Sequence, residues 1–243
     1  MSPGDFLTAL SFLTRLGRPA VVPPERFAAS VAWFPAVGLV VGLVAAAGPF
    51  LGVFGAYPAL QGWLALCLSL WLTRGLHADG LADIADAYGS GANGDRFWGI
   101  LKDSRAGPFG ILALVLTLGG QGLAFAALCG QGRWGELVWC FVLGRLAGLV
   151  LLRLNRARVR PGLGALFASG ATDAALGWAC ACAAVAGALL CPWRTLAASL
   201  VLCALPVWRL TRLSRLQGGF NGDFIGAGIV LGELCAALSA LLL

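Results

Sequence analysis

The sequence predicts an all-α integral membrane protein, a polytopic bundle of about seven transmembrane helices. The chain of 243 residues is 59% hydrophobic and only 12% charged, whereas soluble domains carry about 25% charged residues. Its mean hydropathy is +0.86. The 35 glycines fit this class, because small residues let membrane helices approach closely. No stretch is large and polar enough for a separate soluble domain, so we expect one membrane-embedded domain over residues 1–243.

An N-terminal helix comes first. Residues 4–16 place Phe6, Leu7, Leu10 and Leu13 on one broad face, which is typical of a helix lying in the membrane interface. Prolines then interrupt the helical pattern. Seven apolar segments follow, each near the roughly 20 residues that a bilayer core requires; they cover residues 29–53, 58–75, 107–128, 134–152, 173–191, 195–210 and 222–243.

The basic residues predict the orientation of these segments. With the N-terminus in the cytoplasm and seven crossings, 14 of the 17 Lys and Arg residues, Arg18 among them, fall on the cytoplasmic side. Such an excess is the usual signature of cytoplasmic loops. The net charge of +6 is therefore explained by topology, and we expect no nucleic-acid partner. The same topology places residues 73–110 at the cytoplasmic face.

Segment 73–110 contains the only His, the only Lys and five of the eleven carboxylates. Asp79, Asp83 and Asp86 stand at i, i+4 and i+7, within roughly 60° of one another on a helix. Neighbouring carboxylates there repel by roughly 3 kcal/mol at an effective dielectric near 20. A compensating cation is therefore expected, and hard carboxylate oxygens suit Mg²⁺, Mn²⁺ or Ca²⁺. The alternative is a solvated charged face, but the apolar residues between the acids favour a helix packed on the bundle.

A short helix is predicted next, capped by Asn93 or Asp95, and it delivers the Lys-Asp-Ser-Arg run 102–105 to its C-terminal end. Lys102 and Arg105 are suited to phosphate oxygens, and Asp103 is a candidate fourth metal ligand. For this run alone, an ordinary juxtamembrane basic patch is the alternative.

Three further features bear on a site. Arg145 lies in the middle of a span, where an ionisable residue is functional or paired, and Glu233 in the last span is its expected partner. Asn221 and Asp223 open the last span at the cytoplasmic face, with a simple helix cap as the alternative. The basic cluster 153–160 is mainly an orientation signal, although it could also guide an anionic substrate.

No Ser-His-Asp order, Walker A motif or zinc spacing is present in the sequence. Metal-assisted transfer at a phosphate is therefore the expected chemistry. Mg²⁺ would bridge a pyrophosphate, basic side chains would stabilise the developing charge, and an acceptor hydroxyl or phosphate would attack.

Two further motifs are GLHADGLADIADAYGSG and LKDSRAGPFGILALVL. They are the most specific of several by which the sequence resembles the cobalamin synthase family of adenosylcobinamide-GDP ribazoletransferases. Weaker ones, in the same order as in the family, are FLTRLGRP, WFPAVGLVVG and GDFIGAGIVLGE. The resemblance covers essentially the whole chain.

This resemblance implies the last assembly step of adenosylcobalamin at the bacterial inner membrane. In that step α-ribazole, or its 5′-phosphate, displaces GMP from adenosylcobinamide-GDP with Mg²⁺ as cofactor. His77 would deprotonate the acceptor or bond a phosphate. The expected catalytic residues are His77, Asp79, Asp83 and Lys102; the expected metal ligands are Asp79, Asp83, Asp86 and Asp103; and the expected phosphate contacts are Lys102, Arg105, Asn221 and Asp223.

Two alternatives stay open at this point. A membrane alcohol phosphotransferase of the CDP-alcohol type also gathers Asp residues at the cytoplasmic face, but it expects Asp-Gly-x-x-Ala-Arg, and here Asp79-Gly80 leads to Leu-Ala-Asp. A transporter would place acids deep in several spans rather than at one surface. Membrane lipid is an expected partner in every case, and the sequence leaves an oligomer possible.

Overall fold

The computed structural model describes residues 2–17, 22–103 and 105–243. Over these ranges the protein is a helical bundle, as the sequence predicts. Its helices are α1 (Pro3–Leu13), α2 (Pro24–Ala29), α3 (Phe34–Phe50), α4 (Pro58–Thr73), α5 (Leu76–Gly89), α6 (Asp95–Ile100), α7 (Pro108–Gly130), α8 (Trp134–Asn155), α9 (Leu163–Gly170), α10 (Asp173–Leu190), α11 (Trp193–Leu216) and α12 (Gly222–Leu241). The predicted contributions of Arg18 and Ser104 lie outside the described residues.

Six helical segments in the described ranges are long and apolar enough to cross a membrane. The first joins α2 to α3 through the 3₁₀ turn Ser30–Trp33, and the others are α7, α8, α10, α11 and α12. The seventh predicted segment forms α4, which has only 16 residues. At 1.5 Å per residue this helix is about 24 Å long, short of a hydrocarbon core of about 30 Å. The all-α membrane bundle is therefore confirmed, and a seventh crossing stays a prediction.

Helix α8 is the centre of the bundle. It packs against α3 on one side and α12 on the other, with α10 and α11 also in contact. A helix that is apolar all round its circumference is expected to be buried all round. Nearly every side chain of α8 from Glu136 to Leu152 is buried accordingly.

The predicted partner of the intramembrane Arg is confirmed. Nη1 of Arg145 lies 2.6 Å from Oε1 of Glu233, and both side chains are buried. Nε2 of Gln121 donates to the other oxygen of Glu233 at 3.3 Å. The ion pair therefore ties α8 to α12 with the support of α7.

The predicted caps of the short helix are wrong. Gly94 is the N-cap of α6, and no side chain caps this helix. The Asn93 side chain instead accepts a hydrogen bond from Nε2 of Gln217 at 2.9 Å, and Oε1 of Gln217 accepts one from the Gly94 N–H at 3.0 Å. A long-range contact thus replaces the local cap and holds the loop before α6 against the end of α11.

Candidate functional site

Helix α5 carries the predicted acidic cluster. The chain leaves α4 through Arg74 and Gly75, which have φ angles of 60° and 67°, so two left-handed residues turn it directly into α5. His77, Asp79, Asp83 and Asp86 all lie on this one helix. The predicted helix is confirmed, and it is packed against α12 and α7.

Two glycines allow α5 and α12 to cross closely. A Cβ atom on Gly80 would lie 2.9 Å from both Cα and the carbonyl oxygen of Asp223. One on Gly226 would lie 3.0 Å from the carbonyl oxygen of His77. Only glycine fits at such separations, so this crossing brings Asp223, at the start of α12, beside the acids of α5.

The pKa of Asp83 shows that these acids interact electrostatically. That pKa is raised to about 7, first by burial and then by the charges of Asp223, Asp79 and Asp86. Burial and like charges both disfavour a carboxylate. Four carboxylates from two helices therefore form one electrostatic site, which we call the acidic cluster (Asp79, Asp83, Asp86 and Asp223).

Asp86 is the member of the acidic cluster that already has partners. Its Oδ2 accepts from the Gly107 N–H at 2.7 Å, and its Oδ1 accepts from the Gly110 N–H at 2.8 Å. These amides belong to the N-terminus of α7, where a helix favours negative charge. Asp86 thus caps a neighbouring helix, a contact that the local sequence does not reveal.

A cavity of about 320 Å³ opens beside the acidic cluster. Its polar lining includes five side chains from three parts of the chain: His77, Asp79, Arg160, Asn221 and Asp223. Its apolar lining comes mainly from α1, α3, α9 and α12, with the aromatic rings of Phe12, Phe34 and Phe167. We call this space the catalytic cavity, after the role that we propose for it below.

Two buried polar atoms of the catalytic cavity's lining residues lack a hydrogen-bond partner among the described residues. They are Nε2 of His77 and Oδ1 of Asn221. Asn221 precedes α12 without capping it, and its amide instead donates to Oδ2 of Asp223 at 2.6 Å. The simple-cap alternative is therefore wrong for this pair. Buried polar groups are normally satisfied, so both atoms are available to a ligand or to an ordered water.

His77 is held in its neutral form. Burial lowers the pKa of its imidazole well below the usual value, and the nearby charge of Arg145 lowers it further. Desolvation disfavours the charged form of a His. A neutral ring offers a proton acceptor rather than a positive charge.

The Lys-Asp-Ser-Arg run lies away from the catalytic cavity's described lining. Lys102, Asp103 and Arg105 are all exposed, and none of them lines the cavity. Asp103 and Arg105 form an ion pair at 2.8 Å, and hydrogen bonds from Arg105 lower the pKa of Asp103 to about 2. The structure therefore brings together His77, Asp79, Asp83, Asp86, Asn221 and Asp223. Lys102, Asp103 and Arg105 neither line the cavity nor contribute to the charges that act on Asp83.

The oxygen ligands of the acidic cluster suit a hard divalent ion completed by substrate. No group of three His, Cys, Asp or Glu side chains in the described ranges forms a ready metal site. Mg²⁺ seldom needs one, since it is usually bound by one or two carboxylates plus substrate phosphates. Asp79, Asp83 and Asp223, with the unpartnered oxygen of Asn221, provide such ligands, and a cation would also relieve the repulsion at Asp83.

Arg160 is the polar cavity residue that the sequence analysis named only as part of a cluster that could guide an anionic substrate. It stands in the basic cluster 153–160, whose charge is already explained by topology. Its place in the catalytic cavity depends on a bridge between Val159 and Phe220, 61 residues apart in sequence. No local signal identifies such a contact.

The fold and the site define a class, a polytopic α-helical membrane protein with an acidic cluster and a nucleoside-sized cavity at one end of the bundle. The chain matches the family described as cobalamin-5-phosphate synthase over residues 5–242. It belongs to that family, which confirms the resemblance seen in the motifs.

Curated relatives named adenosylcobinamide-GDP ribazoletransferase are similar over nearly the full length. One from Nitratidesulfovibrio vulgaris strain Miyazaki F is 47% identical over 233 residues, covering 95% of this chain and 92% of the relative. One from strain DP4 of the same species is 43% identical, covering 96% of both chains. One from Pseudomonas paraeruginosa is 41% identical, covering 98% of both. The chain is thus a member of an enzyme family of transferases. No solved structure matches it.

Proposed function

We propose that the protein joins α-ribazole, or its 5′-phosphate, to adenosylcobinamide-GDP and releases GMP, in an Mg²⁺-dependent reaction. The observation that carries this proposal is the acidic cluster at the α5–α12 crossing. Its charges are unneutralised and it adjoins a cavity of nucleoside size, in a chain whose relatives are named for this transfer. Perturbed carboxylates in a cleft are typical of functional sites.

Asp79 and Asp83 are the proposed metal ligands whose carboxylates have the fewest existing hydrogen bonds or ion pairs for a metal to displace. For Asp86 and Asp103 to bind the ion directly, the bonds to the α7 amides and to Arg105 would first have to open. Asp223 and Asn221 lie on the other side of the crossing, where they would complete the site. When bound, Mg²⁺ supplies charge neutralisation for the diphosphate and its leaving group.

The proposed products, GMP and the joined ribazole–cobinamide compound, determine which bonds form and break. An acceptor hydroxyl forms a P–O bond to the phosphorus that stays on cobinamide, and the P–O bond to GMP breaks. The hydroxyl proton has to be taken up, and His77, which lines the catalytic cavity and whose Nε2 has no partner among the described residues, is the proposed acceptor. Lys102 and Arg105 are exposed cations just after α6, and we assign them to the donor phosphate that would lie nearer the surface.

We further propose that this site faces the cytoplasm from the bacterial inner membrane. The distribution of Lys and Arg along the sequence supports that orientation. Exposed apolar side chains on α7, α10 and α11 support contact with membrane lipid.

The test uses the purified protein in nanodiscs with adenosylcobinamide-GDP and either acceptor, with and without Mg²⁺, and follows GMP. We expect Mg²⁺-dependent GMP release that falls at least about a hundredfold in Asp83→Asn, a loss of about 2.7 kcal/mol of transition-state stabilisation. Asp95→Asn, an exposed acid on α6, is the matched control and should keep wild-type activity. Folded wild type without GMP release would reject the reaction, and full activity in Asp83→Asn would reject the metal assignment.

A further inference from the structure

Arg160 is fixed in place by its backbone. Its N–H donates to the carbonyl oxygen of Phe220 at 2.8 Å, and the Phe220 N–H donates to the carbonyl oxygen of Arg158 at 2.9 Å. This short parallel bridge ties the segment after α8 to the residue that precedes Asn221. The position of residue 160 beside the catalytic cavity therefore does not depend on its side chain.

The guanidinium of Arg160 is oriented by Trp98. It lies 4.3 Å from the centre of the indole ring, a distance that allows a cation–π contact. Trp98 is itself buried, and its Nε1 donates to the carbonyl oxygen of Gln217 at 2.9 Å. A planar guanidinium that is already stacked on an aromatic ring loses little further freedom when it binds an anion.

Arg160 differs from the other arginines of its cluster. Arg153 pairs with Asp173 at 2.6 Å. Arg156, Arg158 and Arg160 are all exposed, but Arg156 and Arg158 do not line the catalytic cavity. Arg160 lines the cavity together with Asp79 and Asp223, yet none of the ion pairs within the described ranges includes it. It is a positioned cation with free hydrogen-bond donors at the edge of the reaction site.

We propose that Arg160 binds a phosphate group of a substrate in the catalytic cavity. The assignment rests on the proposed function and goes beyond it, because it identifies a cation for this cavity, whose lining excludes Lys102 and Arg105. A guanidinium matches phosphate oxygens in charge and in bidentate geometry. Two sources share this chemistry, the 5′-phosphate of the acceptor and the diphosphate of the donor.

The experiment compares Arg160→Gln with wild type in nanodiscs, with Mg²⁺ and with free α-ribazole or its 5′-phosphate as acceptor. Losing a charge-assisted hydrogen bond should raise the KM of one phosphate-bearing substrate about tenfold to a hundredfold, with a much smaller change in kcat. A rise only for the phosphorylated acceptor assigns Arg160 to the 5′-phosphate. A rise for adenosylcobinamide-GDP with both acceptors assigns it to the donor.

Three controls keep the proposal open to rejection. Arg156→Gln removes an equal charge from the same segment and should leave every KM within about twofold of wild type. Arg160→Lys keeps the charge and the backbone bridge, so it should recover part of the effect even if Arg160→Gln folds poorly. Calorimetry with α-ribazole 5′-phosphate, and separately with GDP, reads binding without turnover.

Failure of this inference is distinguishable from failure of the proposed function. If wild type releases no GMP, the reaction is wrong, and calorimetry alone decides on Arg160. If Arg160→Gln leaves both the KM values and both affinities unchanged, or lowers only kcat and equally with both acceptors, the phosphate role of Arg160 is overturned.

Discussion

Two groups of charges lie close together in this bundle and are treated in opposite ways. Arg145 and Glu233 are buried and paired at 2.6 Å, with Gln121 as a further donor. The acidic cluster lies nearer one end of the bundle, is partly exposed, and has no cation among its contacts in the described chain. His77 borders both, since it lines the catalytic cavity and also the small space beside Arg145.

This difference indicates that the Arg145–Glu233 pair stabilises the fold, whereas the acidic cluster binds a ligand. In a buried pair each charge offsets part of the desolvation cost of the other, so removing one partner is strongly destabilising. The cluster instead combines partial burial with mutual repulsion, which together raise the pKa of Asp83 to about 7, a cost that folding alone would not explain. The comparison predicts that changes in the pair affect stability, whereas changes in the cluster affect binding and catalysis.

The largest expected effect is on the buried pair. Arg145→Met leaves Glu233 buried without its cation, which should lower the free energy of unfolding by about 3–5 kcal/mol. Adding Glu233→Leu should recover most of that loss, because an apolar pair needs no compensation. Arg153→Met breaks the exposed pair with Asp173 and should cost at most about 1 kcal/mol. Thermal or detergent unfolding measures all three, and equal losses from the two single variants would contradict the comparison.

The next effect is on the α5–α12 crossing. Gly80→Ala places a Cβ atom 2.9 Å from the Asp223 backbone, so the helices must separate, at about 1–3 kcal/mol. The separation should also weaken Mg²⁺ binding, because Asp223 moves away from α5. The matched control is Gly119→Ala on α7, where a Cβ meets nothing within 4 Å and alanine should stabilise the helix by about 0.4–1 kcal/mol. A Gly80→Ala variant as stable as wild type would show that the crossing is loose.

The sequence predicts the helices and the acidic cluster because both depend on short-range patterns. Apolar segments near span length identify the membrane helices, and the i, i+4, i+7 spacing places three acids on one face of α5. The Arg145–Glu233 pair was also predictable, since a mid-span Arg needs an acid and Glu233 is the acid within another span. These inferences need helical geometry but no tertiary contact.

What the sequence does not reveal depends on contacts between distant segments. Arg160 reaches the catalytic cavity through the bridge to Phe220, and its charge already had an explanation in the membrane topology. The bonds of Asp86 to the start of α7 come from a segment 21 residues away. Proximity in sequence placed the Lys-Asp-Ser-Arg run with the site, whereas the loop carries Lys102 and Arg105 to the exposed surface.

Proton linkage at Asp83 gives the third prediction. The folded, metal-free protein holds the Asp83 proton up to about pH 7, while the unfolded chain releases it near pH 4. The unfolded state therefore binds fewer protons in this window, and the contribution of Asp83 to stability falls as pH rises from about 4 to 7. Mg²⁺ competes with that proton, so its apparent affinity should rise about tenfold per pH unit below pH 7 and level off above. Thermal-shift titrations with Mg²⁺ at several pH values measure this. Asp83→Asn should remove the slope, and an unchanged slope in that variant would assign the proton to another group.

The smallest effect is expected at Asp86. This acid is part of the acidic cluster and also stabilises the fold through its hydrogen bonds. Its charge contributes to the acidic cluster, yet both of its oxygens bind α7 amides, so it should behave partly as a structural residue. Asp86→Ala removes a cap and should cost about 0.5–2 kcal/mol of stability, whereas Asp86→Asn keeps one accepting oxygen and should cost less. If Asp86 acts only through α7, activity in the two variants should follow stability, with Asn the milder. If Asp86 also binds Mg²⁺, Asp86→Asn should lose Mg²⁺ affinity while remaining nearly as stable as wild type. Measuring unfolding and Mg²⁺ affinity on the same samples separates these outcomes, because only direct ligation lets the two readouts diverge.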